Sequence, residues 1–394
     1  MKRLTAALLT LVLLPATFAA DATADLAALQ ALVAAKTPEE LTTGSARFHW
    51  SVKRGDDLSA AAEKYMADYP ADPRRWEAAL ILLGRQRIFV KSTNDALLDQ
   101  QKPNTVVRGA VEYDREAQVK WRERLAALDT ACAAATDMTP AVRKKYLLGA
   151  ALRHISAASG SVTAKSAVDF GALRAEIDRL IAAYPEEDIT GQAFDRLVAL
   201  KRRMCDSPAD IFPLLQAYVD SPSEKVRTIA EVGLTLVKAQ EHPLDWKFTA
   251  ADGREVDLAR LRGKVVLIDF WATWCHPCIE EIPTVVAAYN KYHDRGFEIV
   301  GMTLENAGVP PNATPEQARA KLDASRKKML DFAAKNGMPW PQFFDGTGWK
   351  NPYTARYGIR GIPRMFLLDQ EGKVVTMDAR GPRLEAELKR LLKL

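Results

Sequence analysis

The feature that most restricts the fold is a pair of cysteines placed directly after a continuous apolar run. Residues 264–271 read Lys-Val-Val-Leu-Ile-Asp-Phe-Trp, a pattern typical of a strand buried on both faces of a sheet. Cys275 and Cys278 follow closely, with only His276 and Pro277 between them. Pro277 suits the first turn of a helix, where its missing N–H costs little. The segment therefore predicts a strand, a short loop and a helix that begins at the cysteines.

This placement favours redox chemistry at the two thiols. The unpaired N–H groups and the dipole at a helix N-terminus stabilise a thiolate on Cys275. From one turn inside the helix, Cys278 can attack a mixed disulfide formed on Cys275. His276 can add positive charge beside the thiolate, and both His276 and Pro277 are candidates for contact with a substrate. The alternatives are a structural disulfide or half of a zinc site, but no second C-x-x-C completes the four ligands of zinc. We expect no metal, flavin or nicotinamide.

The remainder of residues 241–394 alternates strands with helices, which predicts an α/β sandwich. Its expected elements are a hairpin that turns at Asp252-Gly253, strands at 297–304, 343–344, 364–369 and 374–377, and helices at 277–293, 314–335 and 384–394.

Residues 21–240 differ in composition, with little glycine and abundant Ala, Leu, Arg and Glu, which favours helix. Two segments, 61–80 and 176–197, each contain a helix, a Tyr-Pro pair and a second amphipathic helix. The fold class predicted for this part is an all-α, helical repeat-like domain. Its surface could bind a partner or form a dimer, or it could simply pack against the second domain.

Residues 1–20 have the pattern of a secretory signal peptide. Lys2 and Arg3 precede an apolar run at 4–14, and small residues follow, with cleavage expected near residues 19–22. The alternative is an uncleaved membrane anchor, but the run is short for a span and is followed by Pro15. We therefore expect export to a bacterial periplasm, where disulfides can form.

Charge and cysteine content narrow the class of protein further. The chain of 394 residues has 55 basic and 50 acidic side chains, spread over both parts, which argues against a dedicated nucleic-acid domain. Four cysteines are too few for a scaffold built from disulfides. Cys132 and Cys205 are candidates for a structural disulfide, with buried free thiols as the alternative.

Four motifs together resemble the TlpA/ResA-like branch of the thioredoxin superfamily, a group of exported disulfide reductases. The resemblance covers residues 243–394 and says nothing about the helical part. It implies that a thioredoxin-fold α/β sandwich follows the helical domain. The motifs are the hairpin with Leu258-Ala259-Arg260-Leu261-Arg262-Gly263-Lys264, the segment Phe270-Trp271-Ala272-Thr273-Trp274-Cys275-His276-Pro277-Cys278, Glu281-Ile282-Pro283, and Tyr357-Gly358-Ile359-Arg360-Gly361-Ile362-Pro363.

The resemblance also implies how a substrate would be held. Pro363 matches the cis-proline of the family, which leaves the backbone at Ile362 free to pair with substrate. Trp274 matches the residue that flanks the nucleophile and shapes the docking surface, with simple packing as the alternative. Arg364 departs from the family, where a small residue is usual, and could select acidic or bulky partners or simply extend into solvent.

Two acids gain expected roles in the same way. Asp269 matches a buried acid that takes the proton of Cys278, and burial should raise the pKa of its carboxyl as this role requires. The alternative is an acid paired with a neighbouring lysine. Glu281 matches an acid that tunes the thiols, and its alternative is a solvated carboxylate on the helix surface.

These observations predict an exported thiol–disulfide oxidoreductase that reduces disulfides of client proteins. Its expected partners are a client with a disulfide and an upstream membrane or soluble thiol reductant, without nucleic acid. Three alternatives remain open: a disulfide oxidant or isomerase, a client-binding assembly module that uses the helical domain, and a thiol peroxidase. The last is disfavoured because Thr273-Trp274-Cys275 lacks the Pro-x-x-x-Thr/Ser approach of the peroxidatic cysteine.

Overall fold

The computed structural model describes residues 16–85, 87–100, 108–160 and 168–394. They form two compact units, one that extends to His154 and one that runs from Ile155 to Leu394. The junction expected near residue 240 falls inside the second unit. The assignment of 21–240 and 241–394 as separate domains stays a prediction.

The predicted signal peptide is largely outside this description. Its apolar run at residues 4–14 is not among the described residues, and the first helix begins at Ala16. Export and cleavage near residues 19–22 therefore stay predictions. Across the described ranges, no helix combines the length and the apolar character needed to cross a membrane.

The first unit is mainly helical. Its elements are α1 Ala16–Ala34, α2 Gly44–Asp68, α3 Arg75–Leu83, β1 Val90–Thr93, α4 Asp95–Asp99, β2 Val111–Tyr113, α5 Arg115–Ala134 and α6 Pro140–Gly160, the last of which continues past His154. The antiparallel pair of β1 and β2 corrects the prediction of an all-α region. These strands contain Val90, Thr93, Val111 and Tyr113, residue types that favour extended backbone. Both strands are too short to give a clear alternating pattern.

The second unit begins with helices that include a predicted Tyr-Pro segment. These helices are α7 Phe170–Ala183, α8 Asp188–Met204, α9 Phe212–Gln216 and α10 Glu224–Glu241. Tyr184 ends α7, and Tyr69 ends α2 in the same way in the first unit. A proline follows each tyrosine and disfavours helical backbone there, so each Tyr-Pro separates two helices as predicted.

The remainder of the second unit is the predicted α/β sandwich. Its elements are β3 Lys247–Thr249, β4 Glu255–Asp257, β5 Val265–Trp271, α11 His276–Tyr292, β6 Phe297–Thr303, α12 Pro315–Lys335, β7 Gln342–Phe343, α13 Pro352–Arg356, β8 Arg364–Leu368, β9 Val374–Thr376 and α14 Pro382–Leu391. A hairpin of β3 and β4 precedes a sheet with the order β7-β6-β5-β8-β9. The central strand β5 is parallel to β6 and antiparallel to β8. Every residue of β5 is buried, as its apolar run predicts.

One face of the sheet at β5 packs against an aromatic cluster. Side chains alternate along a strand, so Asp269 and Phe270 point to opposite faces. The Phe270 ring lies 6.3 Å from the ring of Trp246 and 5.5 Å from that of Phe366. Ala239, near the end of α10, belongs to the same apolar core. Helix α10 is therefore part of the structure that covers the sheet.

A glycine before β8 allows α10 to approach closely, which gives a first testable prediction. Gly358 has φ +61°, and a Cβ atom at this position would lie 2.6 Å from Cγ1 of Val232 in α10. We expect Gly358→Ala to lower the free energy of unfolding by about 2 kcal/mol, because it adds both backbone strain and a clash.

Urea denaturation of the full chain measures this effect. Gly361→Ala, three residues further along, is the matched control, because a Cβ there meets no atom within 4 Å. Equal effects of the two substitutions would contradict the proposed contact between Gly358 and α10.

Candidate active site

The two cysteines lie where the sequence predicts them. Strand β5 ends at Trp271, and α11 begins directly after Cys275, which is its N-terminal capping residue. The Sγ atom of Cys275 accepts a hydrogen bond from the N–H of Cys278 at 3.2 Å. The two residues form a disulfide and are 5% and 3% exposed. The structure thus represents the oxidised pair, with Cys275 at the positive end of a helix.

His276 and Pro277, the first two residues of α11, are exposed to solvent. Pro277 lies in the first turn of α11, as predicted. The His276 side chain extends into solvent, and its Nε2 atom lies 3.4 Å from Oε1 of Glu280. Any positive charge on His276 is therefore partly balanced by Glu280.

Asp269 is a buried acid with no compensating cation among the described residues. Asp269 is 3% exposed, and its Oδ1 atom has no hydrogen-bond partner among the described residues. Burial raises the pKa of Asp269 to about 7, and the negative charge of Glu281 contributes to the increase. No described lysine pairs with it, so the alternative of an ion-paired strand acid is wrong.

Glu281 is half-buried and fixed in position. Its Oε1 atom accepts a hydrogen bond at 2.6 Å from the N–H of Gly381, the residue that precedes α14. The alternative of a freely solvated carboxylate is therefore wrong. The bond holds α11 against α14 and keeps a negative charge close enough to Asp269 to affect the pKa of that acid.

The predicted cis-proline is cis and lies beside the end of β5. The Ile362–Pro363 bond is the cis peptide of the described residues. Arg364, the first residue of β8, pairs with Phe270 of β5, so Pro363 lies next to the point where the cysteine loop leaves the sheet. Ile362 and Arg364 are both half-buried, and their expected contacts with a substrate stay predictions.

Trp274 lies on the surface beside the cysteines. It is 53% exposed, and its ring lies 6.3 Å from the ring of Trp349, which is 44% exposed. Trp274 is thus not a core residue, and its role in docking a substrate stays a prediction, with packing against Trp349 as the alternative. Trp349 was not predicted as a site residue, because it comes from a short turn with no periodic pattern.

Glu305 is a second site residue that the sequence reasoning missed. It is 7% exposed, and its Oε1 atom accepts a hydrogen bond from the N–H of Thr273 at 2.5 Å. Its backbone carbonyl accepts from the N–H of Gly348 at 3.1 Å. Glu305 thus joins the loop that carries Trp274 to the loop that carries Trp349. Its position just after β6, a parallel neighbour of β5, is the signal that could have identified it.

Removal of this link should destabilise the oxidised protein. We expect Glu305→Ala to lower the free energy of unfolding by about 2 kcal/mol, since a hydrogen bond to a charged group is lost in a buried setting. Glu305→Gln keeps an acceptor oxygen and should lose less than half as much. Urea denaturation of both variants checks this, and equal losses would contradict a role for the Glu305–Thr273 hydrogen bond.

The proposed bridge between Cys132 and Cys205 is absent. Cys132 lies on α5 in the core of the first unit, and Cys205 caps the end of α8 in the second, and neither forms a disulfide. The Cys132 thiol is enclosed by its own core, and burial raises its pKa to about 11.

Comparison with known proteins identifies the region that contains this site. Residues 238–392 match the family described as Redoxin. The matched region contains Cys275, Cys278 and the cis Pro363. The match confirms the resemblance predicted for this part of the chain, and it begins within α10 rather than after it.

The curated relatives that match this region share one description. The thiol-disulfide oxidoreductase ResA of Bacillus thuringiensis (strain Al Hakam) is 30% identical over 127 residues, which are 32% of this chain and 61% of that protein. ResA of Bacillus cereus (strain ATCC 10987 / NRS 248) is 27% identical over 46% of this chain and 86% of its own length. The chain thus covers about three fifths of the length of the first of these relatives.

A solved structure was also found. It is the thiol:disulfide interchange protein, a thioredoxin family protein, from Chlorobium tepidum TLS, with 27% identity and a TM-score of 0.28. The match covers 39% of this chain and 94% of that one.

Proposed function

We propose that this chain is a thiol–disulfide oxidoreductase that reduces disulfides of client proteins. The observation that carries the proposal is the Cys275–Cys278 disulfide at the N-terminus of α11. A helix start lowers the pKa of a thiol and makes its thiolate available as a nucleophile. The description shared by the curated ResA relatives agrees with this chemistry.

The reaction begins with the reduced pair. The thiolate of Cys275 attacks one sulfur of the client disulfide and forms a mixed disulfide. The other client sulfur leaves as a thiolate and takes a proton from solvent. The exposed ring of Trp274 borders the place where the client lies during this step.

The second step releases the client and needs a base. Asp269, whose pKa is raised to about 7, accepts the proton of the Cys278 thiol. The Cys278 thiolate then attacks the Sγ atom of Cys275, which forms the intramolecular disulfide and releases the second client sulfur as a thiolate. Two electrons have passed to the client, and a dithiol reductant must supply two electrons to restore the pair.

The reductive direction is supported by the surroundings of His276. A cation beside the nucleophilic cysteine would stabilise the thiolate and make the disulfide a stronger oxidant. Here the imidazole lies 3.4 Å from a carboxylate oxygen of Glu280, which partly offsets that charge. The proposed compartment is the periplasm, and the basic residues and apolar run of 1–20 support export.

A stoichiometric transfer experiment tests the proposal. The full chain is reduced with dithiothreitol, desalted and mixed with a peptide that contains one disulfide, and the products are counted by mass spectrometry. We expect one peptide disulfide to be reduced for each Cys275–Cys278 disulfide formed. An unchanged peptide disulfide would contradict the proposal, and faster oxidation of the protein by hydrogen peroxide than by the peptide would indicate a thiol peroxidase instead.

A further inference from the structure

A cavity lies next to the cis-proline loop, on the side formed by α8 and α10. Its volume is about 410 Å³, and all of its walls belong to the second unit. The two helices form one wall, and residues 357–360 with β8 form the other. The apolar part of the lining includes Val198, Ile229, Val232, Leu236, Phe366 and Met377.

The charged part of the lining is predominantly positive. Arg202 of α8, Arg360 and Arg364 all line the cavity, and Asp195 is the acid among the described residues that does so. None of the three guanidinium groups forms an ion pair with a described carboxylate. The cavity therefore has a formal excess of positive charge beside an apolar surface, which suits a ligand with a carboxylate and a hydrophobic group.

The adjoining hollow does not share this character. Arg360 and Asp195 line both cavities. The adjoining one is also lined by Glu224 and by Asp188, whose carboxylate pairs with Lys225. Its acidic side chains outnumber its basic ones, so it has no excess of positive charge. Of these two cavities, the one beside β8 therefore has the excess of positive charge.

The position of Arg364 relates the cavity to the reacting cysteine. Arg364 follows Pro363 and pairs with Phe270 of β5. Cys275 is only five residues after Phe270 in the sequence. Five extended residues span at most about 18 Å, and a paired strand adds about 5 Å. An extended client segment of about seven residues covers that distance.

We propose that this cavity binds an acidic segment of the client, with an apolar neighbour, within about seven residues of the client cysteine. The inference rests on the proposed function and assigns a role to helices α8 and α10 in choosing the client. It also gives a reason for an arginine directly after the cis-proline, because Arg364 would face the client carboxylate.

Binding to the full-length oxidised protein tests the inference without a redox step. The probes are two fluorescently labelled ten-residue peptides with serine in place of cysteine, one containing Glu-Leu-Glu and the other Gln-Leu-Gln. We expect the Glu peptide to bind at least about tenfold more tightly, and Arg202→Glu or Arg360→Glu to remove this preference. Arg203→Glu is the matched control, because it makes the same charge change one residue along α8, outside the cavity lining.

Three results would overturn the inference. The first is equal affinity of the wild-type protein for both peptides, and the second is an effect of Arg203→Glu as large as that of Arg202→Glu. The third is binding of octanoate, but not of the Glu peptide, with the same dependence on Arg202, since that would indicate a site for a free small carboxylate.

The same preparation separates this inference from the proposed function. Reduction of the neutral bis(2-hydroxyethyl) disulfide is measured alongside peptide binding. Failure to reduce it would count against the proposed function. Reduction of it without a preference for the Glu peptide would count against the cavity alone.

Discussion

Replacing Cys275 with serine should reduce the rate of peptide disulfide reduction by at least about a thousandfold, because the attacking thiolate is lost. Cys278→Ser should behave differently. Its Cys275 thiolate can still attack, but no resolving thiol can release the client, so a mixed disulfide should accumulate. Mass spectrometry of the non-reduced reaction measures the covalent adduct, and a thiol-release assay measures the rate.

Cys205→Ser provides the matched control, since the same substitution is made at a half-buried cysteine outside residues 238–392. It should change the rate less than twofold. If the adduct formed on Cys275→Ser and not on Cys278→Ser, the two thiols would have the opposite roles. If neither variant lost activity, the site would be elsewhere.

Asp269→Asn should change both the pH dependence of stability and the release of the client. In the folded protein the pKa of Asp269 is raised from its ordinary value of 3.8 to about 7. A raised pKa means that ionisation disfavours the folded state, so the free energy of unfolding should fall as the pH rises from about 4 to about 7. The cost above pH 7 is about 4 kcal/mol, at 1.36 kcal/mol per pKa unit.

The asparagine variant should lack this pH dependence. At pH 8 it should be more stable than the wild-type protein by about 2 kcal/mol, because about half of the gain is offset by burial of an amide without partners. Urea denaturation of the oxidised proteins at pH 4, 6 and 8 measures the effect. Asp294→Asn, at an exposed position, should leave the profile unchanged.

The same variant should release clients slowly. Loss of a general base typically costs about a hundredfold or more, so the mixed disulfide should persist in Asp269→Asn at pH 7. The first attack by Cys275 should change little. An unchanged release rate together with the predicted gain in stability would mean that Asp269 is a buried acid without a role in proton transfer.

The part of the site that follows local rules could be predicted from the sequence. The apolar run of β5 fixes a buried strand, Pro277 fits the first helical turn after it, and together they place Cys275 at a helix start. The same run predicts burial of Asp269, and burial is the main cause of its raised pKa. The cis bond before Pro363 came from the resemblance to a family rather than from local pattern.

The remaining features depend on contacts between distant segments. The hydrogen bond from Thr273 to Glu305 joins residues that lie 32 positions apart, and Trp274 meets Trp349 across two irregular loops. Neither contact leaves a periodic signal. The boundary near 240 likewise followed a change in composition, whereas Ala239 of α10 packs in the core of the sheet.

The reduction potential of the Cys275–Cys278 pair is the most direct test of the central claim. It is measured by equilibrating the full chain with glutathione and dithiothreitol redox buffers and counting the free thiols. A value near that of thioredoxin, about −270 mV, is the result expected of a disulfide reductase. A value near about −120 mV would contradict the account, because it would make the chain a strong oxidant and mean that His276 stabilises the Cys275 thiolate despite Glu280.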